Sequence, residues 1–166
     1  MFPKPQTALL LSFLLAGATS VAGQQPPPDP KYRITPTVDS TFPRGIYIPE
    51  SLEDAFRELD RMLTPAFIAE FRASEDQPIL YHHGFGTWLR NNWGLWAGSR
   101  LAKYFNCLGI FHPDDMSGII LTSYWRHLNG RPLALQDQIA QHHRYWLAQG
   151  TDSAKLRPLC ERGRPN

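Results

Sequence analysis

Five residues in this chain are best equipped for chemistry. His82 and His83, His112, and the acidic pair Asp114-Asp115 offer imidazole and carboxylate donors, the ligand set that zinc and other borderline cations accept. Gathered round one ion, His82, His83, His112 and Asp115 would make a metal-dependent hydrolase. Asp114 or Asp115 with either of the paired histidines could also exchange protons near neutral pH. Spacing argues against both. Neither His-x-x-x-His nor Glu-x-x-His occurs, so ligation would depend on the fold bringing separate segments together. The aspartates also suit the first turn of a helix, and His142-His143 suits a helix surface. Ser99 and Ser117 lack a Gly-x-Ser-x-Gly elbow, and a nucleophilic Cys107 would have to be reduced. No catalytic residue, metal ligand or cofactor is assigned on these grounds.

A second group suits recognition. Between Tyr81 and Tyr104 lie three of the five tryptophans, and Arg90, Asn91, Asn92 and Arg100 flank them. Flat apolar faces beside planar hydrogen-bonding groups are typical of contact sites for proteins and sugars. Trp88 and Trp93 fall at helical spacing and are expected in the core, with Trp96 nearer the surface. The candidate binding residues are His82, His83, Arg90, Asn91, Asn92, Trp96 and Arg100.

These side chains need a frame, and the periodicity predicts a helical one. Ser51 caps a helix carrying Leu52, Ala55, Phe56, Leu59, Met62 and Leu63, with Glu53, Arg57, Glu58 and Arg61 expected to face water. Thr64-Pro65 restarts the pattern as cap and first helical residue, and this second helix ends near Ala73-Ser74, before the Glu75-Asp76-Gln77-Pro78 break. Phe85 to Asn92 reads as a short helix, residues 92–98 as a turn, and Ser99 to Leu108 as another helix stopped by Gly109. His112-Pro113-Asp114-Asp115 opens a helix with the apolar face Met116, Ile119, Ile120, Tyr124 and Leu128, ended by Asn129-Gly130. The last helix runs from Leu135 to Gln149, with Gly150 as its stop. No stretch alternates with a period of two. The expected fold is all-α, a compact bundle of five or six short helices preceded by an extended proline-rich arm.

The ends have different tasks. Residues 1–23 combine Lys4, an apolar run from Ala8 to Ala18 and small residues before Gln24, the pattern of a cleavable export signal. The apolar run is shorter than the roughly 20 residues of a spanning helix, so no stable membrane insertion is expected after cleavage. Residues 24–45 form a proline-rich linker in which neither helix nor central strand persists, although Phe42 to Ile48 could pack on the body. Residues 46–150 hold the helical domain, and 151–166 read as a polar, loose tail. Removing Lys4 with the leader leaves sixteen basic against fifteen acidic residues, scattered along the chain, which gives no nucleic-acid signal. Cys107 and Cys160 would meet an oxidising compartment and could close a bond contributing roughly 3–4 kcal/mol; a buried Cys107 thiol beside a loose Cys160 fits the sequence equally.

Two motifs, Arg90-Asn91-Asn92-Trp93-Gly94-Leu95-Trp96 and His112-Pro113-Asp114-Asp115-Met116-Ser117, resemble a bacterial family of domains of unknown function over roughly Ile48 to Leu147. The resemblance implies a single helical domain and transfers no activity or ligand. The expectation is an exported, periplasmic or extracellular binding or interaction module of the cell envelope, its partner a protein or glycan. The alternatives are the hydrolase above and a structural envelope protein without a discrete site.

Overall fold

The computed structural model of the chain describes residues 34–74 and 78–161. The leader, the linker up to residue 33, the break at residues 75–77 and residues 162–166 lie outside the described residues. Six α-helices follow one another: α1 Leu52–Met62, α2 Pro65–Ala73, α3 Phe85–Asn92, α4 Arg100–Cys107, α5 Pro113–Leu128 and α6 Leu135–Ala148. Short 3-10 turns occupy Pro78–Tyr81, Ser153–Leu156 and Leu159–Glu161. Among the described residues there is no strand, and none of the helices is long and apolar enough to cross a membrane.

Local chemistry sets the helix ends. Ser51, Thr64 and Ser99 each accept a hydrogen bond from the amide three residues on, satisfying donors left free at a helix start. His112 does the same for α5 through Nδ1, 3.2 Å from the amide of Asp114, and Pro113 fills the first helical position. Gly109, Gly130 and Gly150 adopt the left-handed conformation that ends helices. Ala134, at φ 48°, takes that conformation with a Cβ, and Gln138 ties the same loop down by donating to the Leu133 carbonyl and to Ser123.

The centre of the bundle is α5, which packs against each of the other five helices. Its apolar face is broader than periodicity suggests. Besides Met116, Ile119, Ile120 and Tyr124, it buries Ser117, Leu121, Ser123 and Trp125. Phe67, Phe71, Tyr81 and Phe85 pack as an aromatic group beside it, and Phe71 stacks on Tyr124 at 5.8 Å. The Tyr124 hydroxyl is pushed up by burial and by its bond to Asp60, so it stays protonated and donates at 2.8 Å.

The arm corrects one expectation outright. Glu58, expected in water, is fully buried. Residues 34–48 fold back over α1, and Glu58 accepts from both the amide and the hydroxyl of Thr37 while pairing with Arg61. Asp54 receives the Tyr47 hydroxyl at 2.6 Å, the Glu50 amide at 3.0 Å and Arg57 at 3.0 Å. Arg100, from α4, clamps the arm from the other side: its Nε donates to the Ile48 carbonyl and its guanidinium lies 4.9 Å from the rings of Phe42 and Tyr47. Residues 34–45, assigned to the linker on composition, are thus seated on the helices.

Burial alone would raise Asp54, but the donors Tyr47, Glu50 and Arg57 outweigh it and hold its carboxyl below the usual value. A depressed carboxylate stabilises the fold above its unfolded pKa and loses that contribution as pH falls through the folded value. In urea titrations the stability difference between wild type and Asp54→Asn should therefore be full near about pH 6 and close below about pH 4. A difference independent of pH would show that Asp54 does not hold the arm through its charge.

Candidate functional site

The sequence candidates divide between two places. At the first, Arg90 of α3 is buried and reaches the first turn of α5. Its Nε lies 2.9 Å from Asp114 Oδ1, Nη1 donates to Ser117 Oγ at 2.8 Å and to the His82 carbonyl at 3.3 Å, and Nη2 donates to Thr87 Oγ1 at 2.9 Å. Gly86 leaves room for this, since a Cβ there would stand 3.2 Å from Nη1. His82 Nε2 is 3.8 Å from Asp114, and burial, helped by the Arg90 charge, lowers its pKa. His83 packs edge-on against His82 and is exposed. This is a closed structural network in which every guanidinium nitrogen has a partner.

The second place is an open cleft of about 390 Å³ between α5, α6 and the segment that follows α6. From α5 comes Asp115, one residue from the Arg90 partner. His142 Nδ1 lies 3.0 Å from its Oδ1, and the Trp146 indole donates to its Oδ2 at 2.6 Å. Burial would raise Asp115, but the bonds from His142 and Trp146 and the neighbouring imidazoles hold its carboxyl below the usual range. His143 contributes Nε2, 2.9 Å from the Gly109 carbonyl, which as an acceptor requires that nitrogen to carry the proton.

A strap built from residues 151–161 closes one side. The Thr151 amide donates to the Trp146 carbonyl, Leu156 is buried, and Cys107 is bonded to Cys160. Gly109 permits the close approach: it has φ 81°, and a Cβ there would meet the Leu156 carbonyl at 2.5 Å. The segment expected as a loose tail thus supplies Thr151, Lys155 and Leu156 to the cleft wall.

An aromatic row leads from the cleft to the surface. The His112 ring lies 5.5 Å from that of Trp146 and 5.8 Å from that of Trp96, which is 58% exposed. Trp93 is fully buried and Trp88 partly so.

Residues 48–128 match the family model of DUF6794, described as a domain of unknown function. The match takes in α1 to α5 and stops short of Leu147, so α6 and the strap lie beyond it. No curated protein and no solved structure matches the chain.

Of the seven binding candidates, only Trp96 belongs to the row. Arg90 is interior, Asn92 donates to the Trp88 carbonyl within its own helix, Arg100 serves the arm, and Asn91 is half-buried on α3. The hydrolase candidates do not converge on one point: His82 and His112 each lie 3.8 Å from Asp114, His83 packs on His82, and Asp115 faces the cleft, which His112 also lines. Among the described residues no three His, Cys, Asp or Glu side chains gather to hold a metal. Sequence reading passed over the Asp115–His142–Trp146 group. The i, i+4 spacing of His142 and Trp146 was its one visible signal, and the partner thirty residues away could come only from the fold.

Hydrogen exchange tests whether the strap is a separate unit. Gly109→Ala and Cys160→Ser should each raise exchange at Lys155 and Leu156 while leaving α1 to α3 unchanged. Faster exchange throughout the bundle would make the strap an integral part of the core.

Proposed function

We propose that the protein is an exported binding module of the cell envelope and that it meets its ligand through the cleft and the Trp96–His112–Trp146 row. The observation that supports this most is the cleft itself. Its volume is in the range of small-ligand sites, ~300–1,000 Å³, and it combines aromatic walls with a few positioned polar groups. Asp115 sits in it with its carboxylate already oriented by two donors, so little rearrangement is needed on binding. The exposed Trp96 extends the surface outward, as an indole does in many contact sites.

The export signal read from residues 1–23 puts the site outside the cytoplasm, where the Cys107–Cys160 bond is maintained. In the native host, mass spectrometry of the mature protein should find an N-terminus at Gln24 and no free thiol. A full-length cytoplasmic product with two thiols would overturn the export reading.

Binding is read separately. Titrating the intact protein with fractionated envelope material should change its tryptophan fluorescence, an effect lost in Trp96→Ala and kept in His82→Ala. Equal responses from both variants would place the contact surface elsewhere.

A further inference from the structure

The hydrogen-bonding groups of the cleft point to a particular class of ligand. We infer that the cleft binds a neutral saccharide of one or two rings. The inference rests on the binding reading above and deepens it.

The cleft's own chemistry narrows the class. Asp115 uses two lone pairs on His142 and Trp146, and an ionised carboxylate has about four to offer. His143 commits Nε2–H to the Gly109 carbonyl, so its neutral ring carries an acceptor at Nδ1. His112 accepts the Asp114 amide at Nδ1, so its neutral ring carries a donor at Nε2. Thr151 brings a hydroxyl that does both. A ligand must therefore donate to some groups and accept from others within one small volume. A carboxylate can only accept, and a phosphate, with at most two O–H donors at neutral pH, mostly accepts; both carry negative charge toward Asp115. An ammonium can only donate and would leave the His112 donor without a partner. Lys155 and Asp115 balance in charge across the lining, so neither sign of ligand is favoured overall. Hydroxyl groups meet the requirement because each donates and accepts.

The walls exclude a wholly polar solute. Trp146, Phe111 and Leu156 give the cleft apolar surface against which the C–H faces of a sugar ring can pack. Peptides that add a strand need a free sheet edge and helical ones a long apolar groove, while the mode that uses an aromatic-lined groove is tested below with a neutral peptide. The described residues contain no strand, and the cleft is closed at one side by the strap.

The test is calorimetry on the intact protein with a panel of probes: glucose and N-acetylglucosamine oligomers, a glucuronate disaccharide, inorganic phosphate, and a neutral tripeptide. At least one neutral oligosaccharide should bind, with affinity reduced roughly tenfold in Asp115→Asn and several-fold in Thr151→Ala. Thr151→Ala keeps the experiment decisive if Asp115→Asn perturbs the helix packing, because the Thr151 side chain lies on the strap. Preferential binding of glucuronate, phosphate or tripeptide would overturn the inference, as would saccharide binding indifferent to both substitutions. If no saccharide binds while the Trp96-dependent response to envelope material persists, the ligand class falls and the binding module stands. If both responses are absent, both readings fall.

Discussion

Burying the Arg90 guanidinium is the constraint on which the arrangement of the helices turns. A charge removed from water costs several kcal/mol unless its donors are met, and Arg90 meets them by gripping three segments at once: its own helix at Thr87, the turn before it at His82, and the start of α5 at Asp114 and Ser117. A planar fork satisfies that many partners in few geometries. It therefore fixes both the register of α3 against α5 and the rotation of the first turn of α5. Asp114 faces Arg90 as a result, and Asp115, rotated onward along the helix, faces α6. The network and the cleft are two sides of one helical turn.

This coupling explains why the two acidic residues have different roles despite being adjacent. Asp114 completes a buried charge and is itself half-exposed, so it belongs to folding. Asp115 is largely buried, held by an imidazole and an indole, and lines open space. Burial and hydrogen bonding act on it in opposite directions, and the hydrogen bonds win, leaving an ionised acceptor at the cleft. The polarity of the site thus follows from how α6 packs on α5.

Much of the fold was legible because its signals are local. Ser51 and Thr64 cap helices as their spacing implies, Ser99, expected as the first residue of its helix, caps it instead, Pro113 opens α5, and Gly109 and Gly150 end helices where they were expected to. What sequence reading missed is non-local in every case. Glu58 looks solvent-facing on a helical wheel, but the arm covers that face and supplies Thr37 as its partner. Arg90 looks like a contact residue beside tryptophans, yet its partners on α5 draw it inside. The tail looks loose in composition, and a disulfide with one close backbone contact at Gly109 seats it. Periodicity reports which residues an element can bury. It carries no information on what arrives from elsewhere to bury them.

The Cys107–Cys160 bond has a mechanical consequence. It closes a covalent loop spanning 53 residues, and α5, α6 and most of the cleft lie inside that loop. Tension applied between the arm and the chain beyond Cys160 would run through α1 to α4 and then cross directly at the sulfurs. The looped residues would bear none of it. About 180 Å of contour length is in this way withheld from extension until the bond is reduced. Pulling on the two ends would therefore unravel α1 to α4 and leave the loop that carries Asp115, His142 and Trp146 closed.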